Sequence, residues 1–200
     1  MEKELLFALI STLIYLVGII PYWSDVIKGR TYPHPFTTGV WSVIVGFNTY
    51  VLFIAGEYYS FVPSLIMTFS LLFFGVGFGI MYFKKIHINW FDYLCLASTL
   101  LLLAYWWLSK NILHTVILTT IIDFIAFLPV FKKGWLQPWT ETVFAYFMSG
   151  VNQIFTIGAL SSPDLETSIF WIYMLVSNFI FCILVLYRRY SLKGWHSIFK

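Results

Sequence analysis

Asp123 stands in the least favourable surroundings of any acid in this sequence, inside the apolar stretch from Asn111 to Phe131. A charge at the centre of a membrane helix costs about 2.5 to 3.5 kcal/mol on insertion scales, so such groups face a bundle interior or a wet cavity and mark ion or substrate paths. Counted back from Phe131, Asp123 lies about eight residues, or about 12 Å at the helical rise, from the end of its stretch. Thr119 and Thr120 stand four and three residues before it, on the same helical face, within reach of its carboxylate. Two chemistries follow. A titrating Asp123 would hold a proton or the cationic group of a substrate; a non-titrating one would only tie helices together through hydrogen bonds.

Neutral amides offer the matching polar chemistry. Asn48 and Asn152 follow Thr37 and Thr140 by 11 and 12 residues, which sets them at nearly equal depth in two different stretches, and Asn178 and Gln153 add further amides. Such groups either line a polar pocket or serve as interhelical glue at about 0.6 to 2 kcal/mol each. Trp41 and Phe144 are each six residues beyond a proline, Pro35 and Pro138, and so about one and a half turns into their stretches. They read as a paired pocket wall or inner gate, or as aromatics facing lipid. Pro21 and Pro129 each remove one backbone hydrogen bond near the end of a stretch, which makes either a hinge or a simple stop.

These residues need elements to carry them, and composition says which. The 200-residue chain is 60% hydrophobic and 10% charged, against about 25% charged for an ordinary soluble domain. Seven stretches meet or approach the roughly 20 residues needed to cross a hydrocarbon core: Leu5 to Trp23, Phe36 to Gly56, Tyr58 to Phe83, Tyr93 to Ser109, Asn111 to Phe131, Thr142 to Ser162 and Thr167 to Tyr187. Continuous apolar runs of this kind predict helices rather than the short alternating strands of a barrel. An all-α integral membrane protein of seven transmembrane helices is therefore expected. Met1-Glu2-Lys3-Glu4 lacks the basic start of a signal peptide, so the first stretch is expected to remain. Cys95 and Cys182 fall within stretches and read as small packing residues. The same reading applies to Gly75, Gly77 and Gly79, while Trp90, Trp106, Trp107 and Trp195 read as an interfacial belt.

Of the 12 Lys and Arg residues, Lys3 and Lys110 lie on the amino-terminal side. Lys28, Arg30, Lys84, Lys85, Lys132, Lys133, Arg188, Arg189, Lys193 and Lys200 lie on the other. Cytoplasmic loops carry the basic excess, which predicts the amino terminus outside and the carboxyl terminus in the cytoplasm.

The chain also repeats weakly. Ile20-Pro21 and Leu128-Pro129 are offset by 108, Pro35-Phe36-Thr37 and Pro138-Trp139-Thr140 by 103, and Phe83-Lys84-Lys85 and Tyr187-Arg188-Arg189 by 104. Residues 1–89 and 111–200 thus read as two copies of a three-helix bundle, with residues 90–110 as a linker helix. A three-helix unit ends on the side opposite its start, so joining two in parallel requires one extra crossing. A 3+1+3 arrangement results, with the substrate site expected between the units near the midplane.

This layout, the outside amino terminus and the two prolines resemble the SWEET, PQ-loop and PnuC-like superfamily of small transporters. The segment from Asp123 to Pro129, with Lys132, Lys133 and Gln137-Pro138-Trp139-Thr140-Glu141, is similar to a motif of small bacterial membrane proteins in that group. The residues after the prolines are Tyr22 and Val130, where PQ-loop proteins carry glutamine. In SWEET-like proteins the sugar-contacting asparagines lie on the third and seventh helices, a placement that only Asn178 matches.

The resemblance implies a transporter or facilitator of a small polar metabolite in a bacterial inner membrane, working by alternating access and with a proton as a candidate coupled ion. The runner-up is a receptor or assembly factor that uses the same fold to hold a peptide or lipid without moving it. An enzyme is not expected, for want of a nucleophile and base pair. No cofactor is called for, and His34, His87, His114 and His196 are too scattered for a metal site. The net charge of +3 is accounted for by topology and needs no nucleic acid. A homo-oligomer is allowed.

Overall fold

A computed structural model describes residues 2–30, 35–82 and 90–193. The Lys84-Lys85 pair, Trp195 and the other terminal residues beyond 193 lie outside the described set, as do His34 and His87. All regular structure within it is helical. In chain order the helices are α1 (Glu2–Ile27), α2 (Pro35–Ile54), α3 (Tyr58–Met81), α4 (Trp90–Ser109), α5 (Ile112–Leu136), α6 (Val143–Gly158) and α7 (Leu165–Lys193). Five of these, α1, α2, α3, α5 and α7, are long and apolar enough to cross a membrane. The fourth contributes a shorter apolar helix, Leu96–Ser109, and α6 has 16 residues.

The distribution of side chains is inverted relative to a water-soluble domain. Leu5, Leu9, Leu13, Phe73, Leu101 and Ile183 are exposed, whereas Ser11, Asn48, Ser60, Thr115, Asn152 and Thr156 are buried. Lipid solvates the former, and helix faces in a membrane associate through small and polar side chains like the latter. These are the features of an integral membrane protein.

Helix ends follow local rules that the two prolines do not override. Helix α1 runs through Pro21 to Ile27 and α5 runs across residue 129 to Leu136, so neither proline marks the last turn. One lost hydrogen bond is tolerated within a helix that is held by its neighbours. The end of α1 is set instead by Gly29, at φ 68°, with Gly29 N–H bonding Val26 O and Arg30 N–H bonding Asp25 O. Gly56, at φ 77°, ends α2 in the same way, with Glu57 N–H bonding Leu52 O. Both are Schellman closures, in which glycine takes the left-handed position without a Cβ penalty. Asn111 caps α5 by accepting from His114 N–H at 2.9 Å, and Asp164 caps α7 by accepting from Thr167 N–H at 2.8 Å.

Within residues 2–81, α3 packs against both α1 and α2; within residues 112–193, α7 packs against both α5 and α6. Between these halves, α1 packs on α6 and α2 on α5, while α4 lies against α2 and α5. The α1–α6 seam is tight because its glycines admit side chains: a Cβ at Gly18 would sit 2.5 Å from the Cβ of Met148, and one at Gly158 would collide with the Phe7 ring. Gly75 of α3 likewise lies against Thr38, with 2.8 Å to a built Cβ, whereas Gly77 faces open space. Trp90 and Trp107 are exposed, but Trp106 packs edge-on against Phe47 and Tyr50, so the belt reading does not extend to it. Cys182 is free and buried, its thiol near Val143 O.

Overpacking a close-packed seam costs about 1 to 3 kcal/mol. Gly18→Val is expected to lower stability by that amount and to be read as a drop in thermal midpoint in detergent. Gly77→Val, with no neighbour to meet, serves as the control.

Candidate functional site

One cavity of about 110 Å³ lies between the halves. Its walls come from the second half of α1 (Tyr15, Ile19, Tyr22, Trp23), the first half of α2 (Thr38, Trp41, Val45) and α3 (Met67, Leu71). From the other half come Asp123 and Phe127 of α5, Ala145, Tyr146 and Ser149 of α6, and Met174 and Asn178 of α7. The lining runs from mid-helix positions, Tyr15, Met67, Asp123 and Met174, towards the α1–α2 and α5–α6 connections, where Trp23, Thr38, Phe127 and Ala145 stand.

Asp123 is 2% exposed and accepts a hydrogen bond from the Tyr173 hydroxyl at 2.7 Å through one carboxylate oxygen. Because α5 continues to Leu136, Asp123 sits near the middle of its helix, about 20 Å from that end rather than 12 Å. Thr119 and Thr120 do not bond it; both hydroxyls donate to Val116 O at 2.8 Å within their own helix.

The amides divide into two roles. Asn178 lines the cavity and donates one Nδ2 hydrogen to Met174 O at 2.7 Å. Asn48 does not line it, and instead donates to Ile44 O at 2.9 Å and to Thr119 Oγ1 at 3.3 Å, joining α2 to α5. Asn152 accepts from the Ser11 hydroxyl at 2.5 Å and joins α6 to α1. Those two asparagines therefore sit on the two seams, the glue position, and not beside Asp123.

Trp41 lines the cavity, edge-on to Phe127, and its indole N–H finds no partner among the described residues. Phe144 does not pair with it. At 47% exposure Phe144 points away, and Ala145 occupies the wall. The physical reason is the start of each helix: Pro35 is the first residue of α2, but Pro138 opens a separate 3-10 turn, Pro138–Thr140, before α6 begins at Val143. Counting from the prolines thus misses by one residue. The lining itself keeps a constant spacing of 104 between Ile19 and Asp123, Trp23 and Phe127, Trp41 and Ala145, and Val45 and Ser149. Asp123 is matched by Ile19, so the carboxylate belongs to one half alone.

At the end bearing the α5–α6 connection, Glu141 forms an ion pair with Lys133 at 2.8 Å. Burial pushes its carboxyl above the usual range, with Lys133 and Arg189 opposing that shift. Arg189 also donates to Pro138 O and Glu141 O and lies over the Trp139 ring. Cavity-lining Tyr22 and Tyr146 are within electrostatic reach of the same carboxylate.

The opposite end is closed by contacts that cross between the halves. Glu57, 3% exposed, accepts from Ser161 N–H at 2.6 Å and Ser162 N–H at 2.7 Å. The Ser60 hydroxyl donates to Thr156 O at 2.8 Å, and Ser11 lies 2.8 Å from the Thr156 hydroxyl. Sequence reasoning missed Glu57, since an acid in a short connection reads as solvated; it also missed Tyr15, Tyr146 and Tyr173, which are hard to single out in a chain that is 22% aromatic. A further unforeseen feature is the π-helical segment Ser70–Val76 within α3, where Ser70 Oγ accepts from the Trp23 indole at 3.2 Å beside cavity-lining Leu71. Segments of this kind recur at functional sites.

Comparison with protein-family models, with curated proteins and with solved structures finds no match.

Proposed function

We propose that this chain is a membrane transporter or facilitator for a small polar metabolite, built as two parallel three-helix units joined by α4 in the manner of the SWEET, PQ-loop and PnuC-like group. The observation that carries the reading is the cavity between the halves, with a mid-helix carboxylate in its wall and, at one end of the bundle, connections interlocked through Glu57. Equivalent packing within α1–α3 and α5–α7, and the constant spacing of 104 in the lining, support the repeat. Alternating access would proceed by rocking one unit against the other. Asp123 would take up a proton or the cationic group of the substrate, with Asn178 as a neutral partner and Trp41 as wall. Pro21 and Pro129, now interior to their helices, would let α1 and α5 bend.

With the amino terminus outside, the cavity would extend from mid-membrane towards the cytoplasm and the Glu57 contacts would form the closed outer side. Lys132 is exposed in the last turns of α5, so a cysteine introduced as Lys132→Cys is expected to react with an impermeant maleimide only after cells are lysed. Labelling of intact cells reverses the orientation.

The function itself is tested by uptake of labelled small metabolites into proteoliposomes, with and without a pH gradient, against protein-free liposomes. Entry faster than the control supports transport. If no solute enters while the purified protein retains a peptide or lipid, the receptor reading takes its place.

A further inference from the structure

Every cavity wall has a charge, a hydrogen-bonding character and a shape, and here the three agree. Among the described residues, Asp123 supplies the only formal charge of the lining, which contains no Lys, Arg or His. Its second carboxylate oxygen has no partner among the described residues, since Tyr173 occupies only the first. Asn178 adds a neutral amide, one of whose two N–H groups is committed to Met174 O. Around these groups stand aromatic rings, Tyr15, Tyr22, Trp23, Trp41, Phe127 and Tyr146.

An anion would meet an uncompensated carboxylate and no counter-charge. A sugar-like polyol would surrender its water to a largely apolar surface with few groups to replace it. A proton on Asp123 would leave the aromatic walls without a role. A cation with a compact apolar body satisfies all three features at once, because a ring face attracts positive charge within about 6 Å, most strongly when both are desolvated.

We propose that the cavity is a binding site for a monovalent organic cation, an amine or quaternary ammonium, held by Asp123 and enclosed by the rings of Trp41, Tyr15 and their neighbours. The proposal rests on the cavity described above and deepens the transporter reading by naming the chemical class of its substrate. It does not depend on movement of that substrate across the membrane.

The test is equilibrium binding to the purified full-length protein in nanodiscs, followed by titration calorimetry and by tryptophan fluorescence. The probes are choline, tetraethylammonium and benzylamine, with 3,3-dimethylbutan-1-ol as the neutral carbon isostere of choline. At least one of the cations is expected to bind, and choline at least tenfold more tightly than its isostere. Asp123→Asn keeps a group able to accept from Tyr173 and is expected to weaken choline binding at least tenfold while leaving the isostere unaffected. Trp41→Leu keeps the carboxylate and is expected to weaken choline binding severalfold, which separates loss of the site from loss of the fold. Equal affinity for choline and its isostere overturns the proposal, as does unchanged choline binding in a folded Asp123→Asn protein or no binding of any of the three cations. A cation that binds but is not moved in proteoliposomes sinks the transport reading and leaves this site standing. Transport of a neutral solute that survives Asp123→Asn does the reverse.

Discussion

Glu57→Ala is expected to unlock the end of the bundle remote from the cavity, and the amides of Ser161 and Ser162 should report it. In the folded protein both N–H groups donate to the one buried carboxylate, at 2.6 and 2.7 Å. Hydrogen bonds to a charged group are worth about 1.5 to 3 kcal/mol each. Removing the acceptor leaves two donors without it, so the combined effect is about 3 to 6 kcal/mol on the closed arrangement, a factor of more than one hundred in its population. Hydrogen–deuterium exchange at the connection between α6 and α7 should accelerate accordingly, while exchange at the opposite end, around Arg189 and Glu141, stays as it was. Glu57→Gln keeps the size and one acceptor oxygen, and should fall between the two. If the exchange rates at Ser161 and Ser162 are the same in Glu57→Ala as in the parent, the carboxylate does not hold that end closed.

Asp123→Asn is expected to separate stability from activity. The amide oxygen still accepts from Tyr173, and the cost of keeping a charge at mid-helix, about 2.5 to 3.5 kcal/mol on insertion scales, is removed. Thermal stability in detergent should therefore hold or rise. Uptake driven by a pH gradient should be lost in the same protein. Solute exchange at equal pH discriminates between the two uses of the carboxylate: it is lost with accumulation when Asp123 contacts a cationic substrate, and it survives when Asp123 carries only a proton. A variant that is stable and fully active in both assays leaves Asp123 with a purely structural role.

The order of the helices was legible because lipid demands continuous apolar runs, although only five of the seven are long and apolar enough to cross a membrane. Ends were less so. Pro21, read as a hinge or a stop near the end of its stretch, does not end it: the geometry that halts α1 is the left-handed turn at Gly29, eight residues on. Asp123 was legible for a reason of cost, since a lone acid in such a stretch is seldom kept without use. What surrounds it was not, because Tyr15, Trp23 and Tyr146 differ from the many lipid-facing rings only in the direction they point. Phe144 shows the same limit: a one-residue difference in register, caused by the 3-10 turn before α6, exchanges a cavity wall for the outer surface. Asn48 and Asn152 were read as lying at matched depth, but depth does not say which side of a helix a group takes.

The seam between α1 and α6 differs in kind from its counterpart between α2 and α5. Glycines bring α1 and α6 close at two levels, Gly18 against Met148 and Gly158 against Phe7, with Ser11 pinned to Asn152 between them. On the other side, Asn48 bonds Thr119. The molecule is thus bound like a book, with its spine along α1 and α6 and its fore-edge along α2 and α5. In the transport reading proposed above, the halves would turn about that spine, and Asp123 on α5 belongs to the edge away from it.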